Sequence, residues 1–202
     1  VCSQKKVSLH GITLSERQLE FAQQRLAKAA TVGSAEFSLT DYRDTKGEYD
    51  HIVSIEMLEA VGEKYWPNYF ETVCKRLKPG GKASVQIITI EDKRFAQYST
   101  NPDFIQTYIF PGGMLPTPDI FKEQAELAGL SVADEEAFGL DYARTLREWG
   151  DKFHQRWEEI APLGFDKRFQ RMWHYYLTYC EGGFRGNSID VYQFVLEKPA
   201  QH

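Results

Sequence analysis

The first half of the chain alternates between hydrophobic patterns typical of strands and of helices. Short apolar runs with the length of strands occur at residues 7–14, 35–39, 50–55 and 82–90. Apolar residues recur at the helical period over residues 15–30 and 65–77, and Pro79-Gly80-Gly81 is expected to end the second helix. Strands that alternate with helices predict a parallel sheet with helices on both faces.

The second half has a different pattern. Helices are predicted at residues 119–128, 146–160 and 165–180, and strands at 130–138 and 191–196. The alternating pattern of the last strand favours an antiparallel edge hairpin with the strand at 130–138. We therefore predict one domain, residues 1–202, in which residues 141–184 form a helical cap inserted before the final strand.

Composition and charge exclude several classes of protein. The 202 residues are 42% hydrophobic, which is enough for one substantial core, and the net charge of −5 gives no general nucleic-acid footprint. No signal peptide and no apolar run of membrane-spanning length is visible. Cys2, Cys74 and Cys180 are an odd number without metal-ligand spacing, and the five histidines are scattered, so we predict a reduced, cytosolic chain without a metal site.

Two carboxylates at the end of a predicted buried strand are the strongest sign of a functional site. Glu56 and Glu59 follow the apolar run at residues 50–55 and precede Gly62. Open α/β sheets bind ligands at the carboxyl ends of their strands, and unpaired buried carboxylates are costly. The alternative is that both carboxylates only interact with the dipole of a helix N-terminus.

Several short blocks of sequence together resemble the cyclopropane-fatty-acyl-phospholipid synthase family of S-adenosylmethionine-dependent methyltransferases, over about residues 6–198. The blocks are Gly11-Ile12-Thr13-Leu14-Ser15 with Gln18, Asp41-Tyr42-Arg43, Glu56-Met57-Leu58-Glu59-Ala60-Val61-Gly62, Leu77-Lys78-Pro79-Gly80-Gly81, Tyr108-Ile109-Phe110-Pro111-Gly112-Gly113, Tyr142-Ala143-Arg144-Thr145-Leu146 with Trp149, and Arg171-Met172-Trp173. The Pro-Gly-Gly turn recurs across class I methyltransferases, whereas the Tyr-Ile-Phe-Pro-Gly-Gly and Arg-Met-Trp blocks are much more specific to this family.

The resemblance implies an α/β fold with a Rossmann-like class I methyltransferase sheet and an α-helical lipid-binding insertion. The family has a first strand and Gly-rich loop, and a site cysteine before them, that have no counterpart here, so the sheet is expected to lack its first strand. Because the chain starts at Val1 and opens almost directly into a strand, we expect a partial sequence that holds the cofactor poorly by itself.

The resemblance also implies a bicarbonate ion in the active site, bound by Glu59, Tyr142 and the backbone N–H of Ile88. Gln86 stands where many members have a histidine bonded to this ion; an amide can donate a hydrogen bond but cannot change its charge near neutral pH. Asp141 stands where a histidine often precedes the tyrosine. The alternative for Tyr142 is a buried aromatic residue whose hydroxyl has an ordinary partner.

Residues after the first predicted strand are expected to border S-adenosylmethionine. By resemblance, the backbone of Thr13 and Leu14 and the side chain of Gln18 face the cofactor, where helix N-termini offer free N–H donors. The alternative is that Ser15 and Gln18 form a capping box and nothing more.

The adenine pocket is expected in the next loop. By resemblance, Asp41 and Tyr42 supply an acceptor for the exocyclic amine and an aromatic edge, while Arg43 is a surface charge. Glu56 is expected near the cofactor as well. The alternative for residues 41–43 is an ordinary polar loop.

The function implied by the resemblance is methyl(ene) transfer from S-adenosylmethionine to the cis double bond of an unsaturated phospholipid acyl chain, which forms a cyclopropane fatty acid. Some aromatic residues of the second half are expected to line an acyl channel and face a carbocation. The predicted location is cytoplasmic, at the inner membrane face, and a homodimer stays open. Two alternatives remain: a methyl- or methylene-branched fatty acid or small-molecule product, and a non-catalytic lipid- or partner-binding fragment. A nicotinamide-dependent dehydrogenase has no support, since no G-x-G-x-x-G follows a strand.

Overall fold

The computed structural model describes residues 4–200 and divides into two compact units, Val1–Gly47 and Glu48–His202. The prediction of one domain over residues 1–202 therefore stays a prediction. The strands and helices follow each other in the predicted order, and their bounds differ from the predicted ones by a few residues at most of their ends. No helix within residues 4–200 combines the length and the apolar character needed to cross a bilayer.

The first unit is a β-α-β arrangement. Strand β1 (Ser8–Thr13), helix α1 (Glu16–Ala27) and strand β2 (Ser34–Leu39) follow in order, and the two strands pair in parallel. Ser15 caps α1, since its side chain accepts a hydrogen bond from the backbone N–H of Gln18, as the capping spacing predicted. The helix ends three residues before the predicted end.

The second unit contains a four-stranded sheet with the order β3-β4-β6-β5. Strands β3 (Tyr49–Ile55) and β4 (Leu77–Ile90) are parallel, whereas β6 (Ile189–Glu197) runs antiparallel to both β4 and β5 (Ser131–Ala137). The predicted antiparallel pairing of the last strand is confirmed. The pair lies at the edge of the sheet as expected, with β5 as the outermost strand and β6 between β4 and β5, and the helices that follow β5 connect it to β6.

One face of this sheet is covered by helices α3 (Trp66–Arg76) and α5 (Pro118–Leu127). Phe70, Phe121 and Phe194 are fully buried. The rings of Phe70 and Phe121 pack edge to face with centroids 5.0 Å apart, and those of Phe121 and Phe194 are stacked at 4.3 Å. Burial of each such side chain contributes about 1.5–3 kcal/mol, so this face supplies much of the driving force for folding. The helix α3 ends at Arg76, just before Pro79-Gly80-Gly81, as predicted.

The opposite face is covered by two long helices, α6 (Gly139–Gln155) and α8 (Lys167–Arg185), with the short α7 (Trp157–Ile160) between them. Their core residues pack against Val191 of β6. Glu181 of α8 accepts from Arg147 of α6 and from Arg185, which ties the two helices together. These helices occupy the stretch predicted as a cap. The first begins at Gly139 instead of the predicted 146, because the helical pattern of its first turns also contains polar residues.

Strand β3 is not the buried strand that its apolar run predicted. Val53 is 70% exposed and Ile55 is 55% exposed, whereas Ile52 is half-buried. The reason is position: β3 is the outer strand of the four-stranded sheet and has one hydrogen-bonded neighbour there. A continuous apolar run fits a strand covered on both faces, and the sequence pattern does not distinguish this case from an outer strand.

The connection between β4 and α5 folds beside the end of β3. It contains helix α4 (Asp92–Tyr98) and a π-helix, Ile105–Ile109, in the stretch that showed no clear period. The side chain of Gln106 donates to the backbone oxygen of Gly113 (3.0 Å), and Tyr179 of α8 donates to Asp103 (3.1 Å). The first bond stabilises the fold of the connection, and the second attaches it to α8.

Candidate active site

Glu56 is the first residue after β3 and has an unusual backbone conformation. Its φ is 50°, in the left-handed region, which costs a residue other than glycine about 1–2 kcal/mol. Its N–H donates to the backbone oxygen of Gln86 (2.8 Å), so the pairing of β3 with β4 holds this geometry. A strained residue that the surrounding structure holds in place is typical of functional sites.

The Glu56 carboxylate is the acceptor of a small polar cluster. The hydroxyl of Tyr142, in the first turn of α6, donates to both carboxylate oxygens (2.8 and 2.9 Å). The side-chain amide of Gln86 donates to Oε1 (2.8 Å). Burial, and then the negative charge of Glu56, raise the pKa of Tyr142, so its hydroxyl stays protonated and donates.

Glu59 lies in the short helix α2 (Leu58–Val61) and is the second carboxylate of the site. Its Oε1 accepts from the backbone N–H of Ile88 (2.7 Å), and its Oε2 is buried without a hydrogen-bond partner in the part of the chain that the structure describes. Burial raises the pKa of Glu59 to about 7; the Ile88 N–H acts against this rise, and Glu56 adds to it. Glu59 is therefore a carboxyl group that changes charge near neutral pH.

The predicted catalytic residues contact two different carboxylates, Glu56 and Glu59, instead of one. Glu59 and Tyr142 were expected to share an anion, yet the hydroxyl of Tyr142 bonds to Glu56. Glu56, which was assigned to the cofactor, is the centre of the cluster. Glu59 and Ile88 do meet, as expected, although through a direct hydrogen bond. The roles themselves stay predictions.

The Tyr-Ile-Phe-Pro-Gly-Gly block lies directly beside Glu59. The backbone N–H of Met114 donates to the backbone oxygen of Glu59 (2.9 Å), and a Cβ on Gly113 would lie only 3.0 Å from the oxygen of Phe110. Gly112 has a φ of 81°, which favours glycine. The block therefore needs both glycines to turn tightly where it contacts the site.

Aromatic rings surround the polar cluster on the side of α6 and α8. The ring of Tyr142 lies 5.0 Å from that of Phe184 and 6.4 Å from that of Trp149. Tyr176 packs against Phe110 and Trp173, and burial raises its pKa to about 12. These rings form an aromatic wall that presents its faces to any positive charge that develops beside the carboxylates.

The donor set can be tested against the bicarbonate ion that the resemblance implies. The orphaned Oε2 of Glu59 fits the O–H group of bicarbonate. The donors expected for its other oxygens, the Ile88 N–H and the Tyr142 hydroxyl, bond to Glu59 and Glu56. The residues therefore fit the ion if these two donors are shared with it.

In the first unit, the candidates at the end of β1 bond mainly to each other. The hydroxyl of Thr13 donates to Oε1 of Gln18 (2.7 Å) and accepts from the N–H of Ser15 (3.1 Å). The N–H of Gln18 donates to the hydroxyl of Ser15 (3.3 Å), as expected if this turn serves only to cap the helix. Leu14 is 72% exposed. The cofactor contacts of Thr13, Leu14 and Gln18 stay predictions.

Asp41 and Arg43 form a tight pair at the end of β2. Asp41 caps the 3-10 helix Tyr42–Asp44 through the N–H of Arg43 (2.9 Å) and accepts two bonds from its guanidinium (2.9 and 2.7 Å). The Arg43 side chain holds the pKa of Asp41 below its usual range. Tyr42 is half-buried beside it. The carboxylate stays charged and keeps lone pairs that suit an amine.

Gln193 is a site residue that sequence reasoning missed. Its side-chain amide donates to Oε1 of Gln86 (2.9 Å). Only the register of β4 against β6, in which Gln86 lies opposite Gln193, reveals this contact. Cys180 is not a reactive thiol, because burial raises its pKa to about 12. Among residues 4–200, no group of three His, Cys, Asp or Glu side chains is placed to bind a metal ion.

The sequence profile of the family described as mycolic acid cyclopropane synthetase matches residues 2–194. The chain belongs to this family. The chain is 43% identical over 189 residues to the tuberculostearic acid methyltransferase UfaA1 of Mycobacterium tuberculosis. The match covers 93% of this chain and 44% of the relative.

A second curated relative is the cyclopropane-fatty-acyl-phospholipid synthase of Escherichia coli K12. The identity is 35% over 202 residues, which cover 100% of this chain and 50% of the synthase. The chain therefore spans about half the length of the curated relatives it matches.

Solved structures of the family have the same fold. The cyclopropane synthase MmaA2 of Mycobacterium tuberculosis matches with a TM-score of 0.86 at 27% identity, over 95% of this chain and 70% of that structure. The mycolic acid cyclopropane synthase CmaA1, complexed with SAH and CTAB, matches with a TM-score of 0.86 at 28% identity and the same coverage. The predicted α/β class I methyltransferase fold is confirmed.

We expect Tyr142→Phe to lower the turnover of the protein that contains this chain by about 10- to 100-fold, the size of one hydrogen bond to a charged group. The variant keeps the ring packed on Phe184 and removes the donor to both oxygens of Glu56. Steady-state kinetics measure the loss, and Tyr175→Phe, on an exposed face of α8, is the matched control. Equal rates for the two variants would remove Tyr142 from the active site.

Proposed function

We propose that the protein transfers a methyl(ene) group from S-adenosylmethionine to the cis double bond of an unsaturated phospholipid acyl chain and forms a cyclopropane fatty acid. The observation that carries this proposal is the Glu59 carboxyl group, buried beside an aromatic wall with one oxygen unpartnered and a pKa of about 7. A group that is half-ionised near neutral pH suits proton transfer. Membership of the family supplies the class of chemistry.

The reaction needs a methyl donor, a sheltered cation and a base. S-adenosylmethionine supplies a methyl group whose bond to sulfur breaks with its electron pair left on sulfur, while the π electrons of the alkene form the new carbon–carbon bond. The acyl chain of the lipid then carries a carbocation. Loss of a proton from the new methyl group to a base leaves the C–H electron pair to close the ring. The alkene is a weak nucleophile, so catalysis depends on positioning and on stabilising positive charge.

Each residue of the cluster has a separate role in the proposed reaction. The Glu56 carboxylate, held by Tyr142 and Gln86, places a fixed negative charge near the aromatic wall. Glu59 receives or relays the proton, and the Ile88 N–H fixes its carboxylate. Bicarbonate, when bound by Glu59, Tyr142 and the Ile88 N–H, would supply the base that accepts the proton. Among the described residues, Glu59 Oε2 is the atom available to this ion.

The first unit is proposed to bind S-adenosylmethionine. In this proposal Thr13, Leu14 and Gln18 border the cofactor, and Asp41 and Tyr42 contact the adenine. Asp41 is ionised and oriented by Arg43, which supports its role as an acceptor for the exocyclic amine.

The second unit is proposed to contact the lipid through the helical cap. A groove of about 420 Å³ runs along α6, α7 and the 3-10 helix Ala161–Leu163. It is lined by apolar and basic side chains, namely Trp149, Phe153, Ile160, Leu163, Lys152 and Arg156, together with Glu159. Arg156 is paired with Glu159 (2.6 Å), so Lys152 is the cation of this groove that has no acidic partner in its lining. An apolar groove with a lysine on its rim suits the surface of an anionic phospholipid layer. This surface supports peripheral binding at the cytoplasmic face of the membrane.

A second candidate is a methyl- or methylene-branched fatty acid. Gln86 cannot take up a proton as histidine does, and Glu56 adds a second carboxylate beside the expected anion site. Both features would change the fate of the carbocation. A 1,2-hydride shift followed by loss of a proton from the added methyl group gives the methylene product, and reduction of that product by a separate hydride donor would give the methyl-branched chain. The identity of 43% to a tuberculostearic acid methyltransferase supports this alternative. A third candidate, non-catalytic binding of lipid or a partner, predicts no affinity for S-adenosylmethionine in calorimetry.

The test is to express the protein that contains this chain in bacteria that lack cyclopropane synthase and to analyse their lipids by mass spectrometry. We expect a mass increase of one CH2 in unsaturated acyl chains and no reactive double bond in the product. A methylene product would keep a double bond, and a methyl-branched product would contain two more hydrogens. Unchanged lipids, together with no binding of S-adenosylmethionine, would refute both catalytic candidates.

A further inference from the structure

Gln193 completes a chain of hydrogen bonds that leads from the surface of β6 into the site. Its Nε2 donates to Oε1 of Gln86 (2.9 Å), and Nε2 of Gln86 donates to Oε1 of Glu56 (2.8 Å), which also accepts from Tyr142. Gln193 lies directly opposite Gln86 in the antiparallel pairing of β4 with β6. Two side chains in register on one face of neighbouring strands are within reach of each other.

The direction in which these hydrogen bonds are donated follows from the chemistry of the groups at the two ends of the series. An ionised carboxylate only accepts, so the NH2 group of Gln86 must face Glu56. The carbonyl oxygen of Gln86 then points towards β6, where it needs a donor. The amide of Gln193 is the donor in the structure. If Gln86 rotated by half a turn about its last side-chain bond, an oxygen would face the carboxylate and repel it.

We propose that Gln193 is a positioning residue of the active site, which fixes the orientation of the Gln86 amide and through it the Glu56 carboxylate. It touches neither substrate nor cofactor in this role. The amide of Gln86 has a donor end and an acceptor end and could present either to Glu56, so its orientation depends on a donor at its carbonyl oxygen. The kinetic part of this inference rests on the proposed function.

Variants that differ only in donor capacity test the proposal. Gln193→Lys keeps a donor, Gln193→Met keeps the length and removes the donor, and Gln193→Glu replaces it by an acceptor that competes with Glu56 for the Gln86 amide. We expect kcat to stay within about threefold of the wild type for Lys, to fall about fivefold for Met, the size of one hydrogen bond, and to fall further for Glu, with KM unchanged. A similar fall in kcat for all three variants, whether or not they keep a donor, would overturn the proposal.

A double-mutant cycle separates positioning from local stability. In a Gln86→Met background the link to Glu56 is gone, so Gln193→Met should cost nothing further in kcat. Equal losses in both backgrounds would show that Gln193 acts independently of Gln86 and would refute the proposal. Gln23→Glu, at an exposed position of α1, is the control for the change of charge. Its kcat should equal that of the wild type.

A second readout does not depend on turnover. In protein labelled with 15N-glutamine, the Gln86 side-chain NH2 signal is identified by its loss in Gln86→Met. Its proton bonded to Glu56 should exchange slowly with water in the wild type and in Gln193→Lys, and rapidly in Gln193→Met and Gln193→Glu. Unchanged exchange in Gln193→Met would overturn the proposal even if the protein methylated no lipid, and slow exchange in an inactive protein would refute the proposed function alone.

Discussion

Replacing Glu59 by glutamine is expected to lower the rate of product formation in the protein that contains this chain by about 10²- to 10⁴-fold, the range for loss of a positioned acid or base. The amide has nearly the same shape, and its oxygen can still accept from the Ile88 N–H. It cannot take up a proton near neutral pH. The loss therefore reports on proton transfer, and it is measured as the initial rate of methyl transfer to an unsaturated phospholipid in vesicles.

The matched control for this variant is Glu63→Gln, which makes the same change at an exposed position four residues away. Its rate should equal that of the wild type. Binding of S-adenosylmethionine, measured by calorimetry, should be the same for both variants if Glu59 acts in the chemical step. Glu59→Gln with an unchanged rate of product formation would contradict the assignment of Glu59 and the proposed mechanism with it.

The free energy of unfolding is expected to fall as the pH rises, because of the same carboxyl group. Burial raises the pKa of Glu59 from 4.5 to about 7 in the folded state. Between these values the folded chain binds more protons than the unfolded chain, so rising pH favours unfolding. The contribution of the protonated form is complete below pH 4.5 and is lost as the pH rises through about 7, with an upper limit of roughly 3 kcal/mol.

Urea denaturation at a series of pH values from 4.5 to 8, for the wild type and for Glu59→Gln, measures this effect. The glutamine variant lacks the titrating group, so its stability relative to the wild type should increase steadily towards pH 8. The comparison of the two proteins cancels the titration of all other groups. A stability difference that does not change with pH would show that Glu59 is ionised in the folded chain across this range.

Local signals in the sequence predicted the elements well. Ser15 caps α1 because its hydroxyl needs only the backbone N–H three residues later, and Pro79-Gly80-Gly81 follows the end of α3 because proline and glycine disfavour a helix by themselves. The stretch at residues 104–115 lacked a period because it contains one π-helical turn and a tight glycine turn, each shorter than a periodic pattern.

The partners within the site could not be predicted in the same way. Which carboxylate Tyr142 contacts depends on the start of α6 and on the backbone conformation at Glu56, and neither follows from the spacing of the residues. The contact of Gln193 with Gln86 depends on strand register across more than a hundred residues. The resemblance to the family named the residues of this cluster, and the structure shows which of them contact each other.

The left-handed backbone at Glu56 is balanced by the hydrogen bonds that its side chain accepts. Glycine adopts a φ of 50° without strain, so the backbone conformation alone would favour it. Glycine would also leave the hydroxyl of Tyr142 and the amide of Gln86 without their acceptor, at a cost of about 1–3 kcal/mol for each buried donor. Relief of backbone strain at this position therefore brings no net gain in stability, and the acid contributes to the fold as well as to the site.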